Sequence, residues 1–215
     1  MSFSFLPDAP VMLTYTVAVF ILFATPGPDM SLFLAKTLSG GRWAGIAAMA
    51  GALTGCLFHT LAAALGLSAI IAASTTAFTA LKIVGALYLL YMAYDAIRNG
   101  SALSVKSEER TEPDLKKIFL MGIGINLTNP KVVLFFITFL PQFVAATDPN
   151  AAAKLMFLGL YFVAFSVPLA ILMILGAERL IETLKARPKI MRGIDYTFAG
   201  VFGAFAVKIL ATQGK

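Results

Sequence analysis

A polar break inside an apolar segment organises this chain, and it reads Asn126-Leu127-Thr128-Asn129-Pro130-Lys131. The surrounding run, from about Ile118 to Ala146, is otherwise apolar and long enough to cross a bilayer. Pro130 lacks a backbone donor and clashes with the preceding turn, so a regular helix should not pass through it unchanged. Polar groups freed in hydrocarbon are costly unless they are buried in protein or line a wet cavity. The break is therefore either a defect or a binding site.

The composition is that of an integral membrane protein. The chain has 215 residues, of which 59% are hydrophobic and 13% charged, and its mean hydropathy is +0.86. Soluble domains carry about a quarter charged residues. The net charge of +6 arises from basic residues that collect in a few loops, so it does not suggest a nucleic-acid partner. One histidine, one cysteine and no paired intramembrane carboxylates disfavour an enzyme and predict no metal site.

Six apolar segments are predicted to cross the membrane, at about 10–24, 44–73, 78–97, 118–146, 151–176 and 194–210. The polar stretch 98–117 is predicted to be a flexible linker, and residues 178–192 a second basic loop. In that loop, Leu180, Ile181 and Leu184 have helical spacing that suits the membrane surface. Because the basic loops should be cytoplasmic, both termini are predicted to lie outside.

The linker divides the spans three and three, so the two halves run in opposite directions. A shift of 102 residues places Pro28-Asp29-Met30-Ser31-Leu32-Phe33 over Pro130-Lys131-Val132-Val133-Leu134-Phe135, with three of six positions identical. The predicted fold is an all-α polytopic membrane protein of six transmembrane helices, arranged as two inverted three-helix repeats with helices 1 and 4 broken. The repeats span about 10–97 and 118–212 within a single transmembrane domain, residues 1–215.

The two breaks together predict a bipolar pocket. Helix N-termini after each proline favour an anion, and the carbonyls before each break favour a cation. With Asp29 and Lys131 nearby, two breaks that meet near the midplane would complement a zwitterion. The predicted substrate-binding residues are Thr25, Pro26, Gly27, Pro28, Asp29, Asn126, Thr128, Asn129, Pro130 and Lys131.

Each polar residue of the breaks has a second interpretation. Asp29 holds an ammonium or carries a proton, or else caps a helix at the interface. Lys131 pairs with Asp29 or meets a carboxylate, or else extends toward water. Asn126 and Asn129 contact substrate or satisfy the backbone groups that Pro130 releases. His59 is a second proton-coupling candidate, or else a neutral residue hydrogen-bonded between helices.

Two small residues in the second segment have a packing interpretation. Gly51 and Gly55 have the spacing that permits close helix approach. Within a six-helix bundle this spacing favours internal packing over a dimer face.

These motifs resemble a known family. The break at 126–131, the sequence Leu140-Pro141-Gln142-Phe143 that follows it, and Thr25-Pro26-Gly27-Pro28-Asp29 are similar to the signature of the LysE/RhtB amino-acid exporters. The resemblance implies a small efflux protein of the bacterial inner membrane that uses the proton motive force and no cofactor. It is nearer to the branch that exports homoserine, homoserine lactone and threonine than to the dibasic branch.

The sequence thus predicts a secondary active exporter of small amino acids or their derivatives, working by proton antiport. Its partners are a small zwitterionic solute, protons and the lipid bilayer. One alternative is a divalent-cation exporter of similar architecture, although only Asp29 and Asp95 offer carboxylates at membrane depth. Another is a non-transporting membrane subunit or sensor. The sequence leaves the solute and formation of a homo-oligomer open.

Overall fold

The computed structural model describes residues 6–100, 112–145 and 148–213. Within these ranges the chain is helical and forms no strand. The helices are α1 (Ala9–Ala24), α2 (Pro28–Ala62), α3 (Ser68–Ala73), α4 (Thr75–Asn99), α5 (Leu115–Thr128), α6 (Pro130–Leu134), α7 (Ala151–Leu175), α8 (Ala177–Ala186) and α9 (Pro188–Gln213).

Short irregular turns extend two of these helices. A π-helical turn, Ala63–Leu67, joins α2 to α3. A second one, Phe135–Phe139, continues α6 and is followed by the 3-10 turn Leu140–Phe143. Through these turns, the helical structure of the second and fourth apolar segments continues beyond the ends of α2 and α6.

The long helix α2 folds back on itself at Gly41. This residue has φ of 78°, a left-handed conformation that glycine adopts without a steric penalty. A Cβ atom on Gly45 would lie 2.0 Å from Thr37 Oγ1, whereas eight residues span about 12 Å along a straight helix. Helix α2 is therefore a hairpin whose antiparallel limbs are residues 28–40 and 42–62. The first limb continues the broken segment that α1 begins.

Several helices are long and apolar enough to cross a membrane. Within the described ranges four stretches qualify, and a bent pair, Leu115–Thr128 with Pro130–Phe143, makes a fifth crossing with an angle of 53° at its break. The four stretches are Pro28–Ile70, which contains the α2 hairpin, Thr76–Asn99, Ala151–Leu175 and Lys189–Ala211. These findings confirm an all-α polytopic membrane protein.

A sixth crossing depends on α1. With 16 residues, α1 is about 24 Å long, less than the roughly 30 Å of a hydrocarbon core. It completes a crossing only together with the first limb of α2. The division of the chain into two inverted three-helix repeats stays a prediction.

Two buried clusters hold the bundle together. One is rich in aromatic rings and centres on Tyr15, Phe135, Phe139 and Phe202. The other joins the α2 hairpin to α5 and to the end of α7. Both broken segments contribute residues to each cluster. At the breaks themselves Thr25, Asn126 and Asn129 are buried.

The α2 hairpin packs very closely on α5. A Cβ atom on Gly51 would stand 2.0 Å from the Phe119 carbonyl oxygen, and one on Gly122 would stand 2.4 Å from that of Ala48. Only glycine lets these backbones approach so closely. The expected packing role of Gly51 and Gly55 inside the bundle is confirmed, since a Cβ atom on Gly55 would also meet Asn126 of α5.

The second basic segment differs from its prediction as a loop. Helix α8 and the first turn of α9 occupy most of residues 178–192. Ile181 and Leu184 are 5% and 8% exposed, so these residues pack on the protein rather than on lipid. At the first linker, α4 extends to Asn99 and α5 begins at Leu115, while residues 101–111 of the predicted flexible stretch lie outside the described ranges.

Candidate functional site

The two helix breaks lie against each other. Asp29 follows the first break, and its Oδ2 accepts a 2.8 Å hydrogen bond from Asn126 Nδ2 in the last turn of α5. Lys131 follows the second break, and its ammonium donates to the carbonyl oxygens of Leu22, at 3.1 Å, and Thr25, at 2.6 Å. The charged residue after each break is thus tied to the helix end that precedes the other break.

The chemistry of α1 explains where Lys131 goes. The Leu22 carbonyl would bond the N–H of residue 26 in a regular helix, but Pro26 has none. The end of α1 also carries partial negative charge, which favours a cation. The chain itself supplies this cation, so Lys131 does not extend toward water. Among the residues described, Lys131 makes no direct salt bridge to Asp29, because the free carbonyls hold its ammonium. The two charges nevertheless line the same cavity and interact electrostatically across it.

Gly27 leaves room for the Lys131 side chain. Its backbone is extended, with φ of −171°, so the conformation itself does not require glycine. A Cβ atom there would stand 3.1 Å from Lys131 Nζ and 3.4 Å from Cε. A larger residue would therefore push the ammonium away from the end of α1.

The two asparagines divide their roles. Asn129 Oδ1 accepts a 3.1 Å hydrogen bond from the backbone N–H of Lys131 and caps α6. This contact agrees with the prediction that the asparagine satisfies backbone groups at the break. Its Nδ2 is buried beside the Asp29 carboxylate without completing a hydrogen bond to it. Asn126 instead holds the Asp29 carboxylate, and Cys56 Sγ lies 3.6 Å from its Oδ1.

Not every predicted residue reaches the cavity. Thr128 is exposed, and its hydroxyl donates to the Gly124 carbonyl at 2.8 Å. Pro28 and Pro130 are exposed and act by starting α2 and α6. His59 is half-buried with its ring stacked on Phe136, and its Nε2 lies 3.4 Å from the Asn126 carbonyl oxygen.

A cavity of about 60 Å³ lies between the breaks. Its polar wall comprises Asp29, Asn126, Lys131 and Ser166, and its apolar wall comes from α1, α2, α6 and α7. One water needs about 10–15 Å³ by this measure, so the cavity holds about four to six waters. In this conformation the site is narrow.

The cavity presents polar atoms that the protein leaves unbonded. Asp29 Oδ1 and Ser166 Oγ are buried and have no hydrogen-bond partner. The Lys131 ammonium has three donors and uses two on carbonyls. A buried polar atom without a partner costs about 1–3 kcal/mol, which points to a polar ligand.

Ser166 was not predicted from the sequence. A single serine in an apolar helix gives a weak signal, although Pro168 two residues later marks the same part of α7. Across the described ranges, no three side chains of His, Cys, Asp or Glu lie together as a metal site would require.

Comparison with known proteins identifies a family and several relatives of this chain. Residues 20–213 match the profile of the LysE type translocator family. The chain is 30% identical over 210 residues to the uncharacterized membrane protein PA4757 of Pseudomonas aeruginosa, covering 91% of this chain and 93% of that protein. It is 33% identical over 141 residues to the uncharacterized membrane protein YrhP of Bacillus subtilis, covering 62% and 67%.

A relative with a functional name is more distant. The homoserine/homoserine lactone efflux protein of Salmonella typhimurium is 27% identical over 188 residues, which cover 87% of this chain and 90% of the relative. No solved structure matches. The family and this relative's name point to a transporter rather than an enzyme. From the extent of the profile match we conclude that the chain belongs to the LysE type translocators, a family of polytopic membrane proteins.

Proposed function

We propose that this protein is a secondary active exporter of small zwitterionic amino acids or their derivatives, such as homoserine- and threonine-like solutes, across the bacterial inner membrane. One observation carries the proposal: the two breaks enclose a cavity with an unbonded carboxylate oxygen on Asp29 and a remaining ammonium donor on Lys131. The name of the Salmonella typhimurium relative supports the class of solute.

The charged groups of the cavity suggest a binding mode. The solute's ammonium would bond Asp29 Oδ1, and its carboxylate would accept from the Lys131 ammonium. Both protein groups are already held, by Asn126 and by the α1 carbonyls, so little side-chain ordering accompanies binding. Because the present cavity holds only a few waters, binding requires the two halves to separate on one side, as alternating access expects.

Proton coupling would act through Asp29. Protonation removes the charge that attracts the solute's ammonium and weakens the bond from Asn126, which releases the solute. His59 remains a candidate relay, since its Nε2 faces the carbonyl of the same Asn126. The proposed topology has both termini outside and the basic loops in the cytoplasm, and the location of the basic residues supports it.

The first test is rescue of growth by the expressed protein against a panel of inhibitory amino acids. Wild type should rescue, and Asp29→Ala and Asn129→Ala should not. If no amino acid or derivative is exported, the proposal is wrong.

The second test measures efflux from vesicles under an imposed pH gradient. Asp29→Asn should slow gradient-driven efflux by about tenfold to a hundredfold, because a charge-assisted bond is worth about 1.5–3 kcal/mol. Asp95→Asn is the matched control, since Asp95 lies on α4 outside the cavity and bonds Asn99. Undiminished coupling in Asp29→Asn would exclude the proposed role of Asp29.

A further inference from the structure

Ser166 on α7 carries a buried hydroxyl that no described protein group binds. The residue is 2% exposed, it lines the cavity, and its Oγ has no hydrogen-bond partner. It lies on α7, whereas Asp29 and Lys131 come from the starts of α2 and α6. The hydroxyl is therefore a polar group on a wall separate from the two charges.

The hydroxyl differs from its counterparts elsewhere in the bundle. In eleven other helical serines and threonines, and in Thr25 just after α1, the hydroxyl donates to the carbonyl four residues earlier. That local bond is the usual way to satisfy such a group inside a helix. At Ser166 the corresponding acceptor is the Phe162 carbonyl, and the bond is not made.

The surroundings of Ser166 on its own helix are apolar. Phe162, Ala170 and Met173 line the cavity from the same face of α7, at positions i−4, i+4 and i+7. Ser166 is the polar member of this stripe. A solute held by its ammonium and carboxylate at the two breaks would direct its side chain at the remaining walls, of which α7 is one.

We infer that Ser166 determines side-chain specificity: its hydroxyl bonds a hydroxyl on the solute's side chain and favours a hydroxylated amino acid over an isosteric aliphatic one. This inference rests on the proposed function. A serine hydroxyl both donates and accepts, so it matches a second hydroxyl. A site that hydrogen-bonds a substrate hydroxyl disfavours the analogue without it, because the site's own polar group then stays unpaired.

The experiment compares threonine with valine, which replaces the hydroxyl by a methyl group of similar size. Purified protein in proteoliposomes is loaded with each radiolabelled amino acid, and gradient-driven efflux is measured at several concentrations. Wild type should favour threonine. Ser166→Ala should reduce the threonine-to-valine ratio of transport efficiency by about twofold to tenfold, the range that one neutral hydrogen bond supplies.

Two further variants complete the design. Ser166→Cys keeps the size but donates weakly, so it should lose the preference as Ser166→Ala does. Ser68→Ala is the matched control, because that helical serine is bonded to the Ala64 carbonyl and lies outside the cavity; its ratio should stay at the wild-type value.

Other results would overturn the inference. An unchanged threonine-to-valine ratio in both Ser166 variants means that the Ser166 hydroxyl does not bind the solute's side-chain hydroxyl. Equal losses for threonine and valine mean that it contacts the part that the two solutes share. If wild type exports other solutes of the growth panel but not threonine, the inference is wrong while the proposed function stands. If it exports no amino acid or derivative at all, the proposed function itself fails.

Discussion

Replacing Lys131 with methionine tests the contact that joins the two breaks. Methionine has similar length and no charge, so the change removes the ammonium while keeping most of the side-chain volume. The carbonyl oxygens of Leu22 and Thr25 lose their donor. For Leu22 no backbone donor replaces it, because Pro26 has no N–H.

The size of the effect follows from these two carbonyls. Each buried acceptor that is left unpaired costs about 1–3 kcal/mol, so the pair costs about 2–6 kcal/mol. Removing a buried ammonium returns part of this, since a lysine in a membrane span is itself unfavourable. We expect a net destabilisation of about 2 kcal/mol, which for a chain of this size lowers the thermal midpoint by about 4–8 °C.

The assay is thermal unfolding of purified protein in one detergent. Lys116→Met is the control: Lys116 is an exposed lysine at the start of α5, the first half of the same broken segment. Its midpoint should stay within about 1 °C of wild type, as surface changes usually cost under 0.5 kcal/mol. If Lys131→Met has the same thermal midpoint as the control, the ammonium does not stabilise the end of α1 and does not join the two breaks.

Two further predictions concern stability. Gly122→Ala should destabilise the protein by about 1–3 kcal/mol through overpacking against the Ala48 carbonyl, whereas Gly124→Ala, whose Cβ atom would meet nothing within 4 Å, should be neutral or stabilising; equal thermal midpoints would contradict the close α2–α5 contact. The Lys154 ammonium, hydrogen-bonded to Asp148, holds the pKa of that carboxyl below its ordinary value of 3.8. A lowered pKa stabilises the fold above pH 3.8 and ceases to do so as pH falls through the lower folded value. Asp148→Asn should therefore lower the free energy of unfolding by about 0.2–1 kcal/mol at pH 7 and leave it unchanged at a pH below the folded pKa. Thermal unfolding of both proteins at the two pH values tests this, and a difference in midpoint that is the same at both would contradict it.

Local chemistry made much of this protein predictable from its residues. Composition identifies a membrane protein because hydrocarbon tolerates few charges. The breaks were predictable because proline lacks a backbone N–H and is best tolerated at the start of a helix, and α2 and α6 do begin at Pro28 and Pro130. Proline does not always end a helix, since Pro168 lies inside the continuous α7. The same reasoning placed Asp29 and Lys131 directly after the breaks, at equivalent positions in the two halves of the chain.

The tertiary structure decided which partners these residues take. The sequence alone allows Lys131 to pair with Asp29, but packing brings the ammonium to the α1 carbonyls and the Asn126 amide to the carboxylate. It also shows that Thr128 faces away from the cavity and that Ser166 lines it. Proline acts on its own helix and so can be recognised in isolation, whereas these contacts join residues about a hundred positions apart and depend on how whole helices pack.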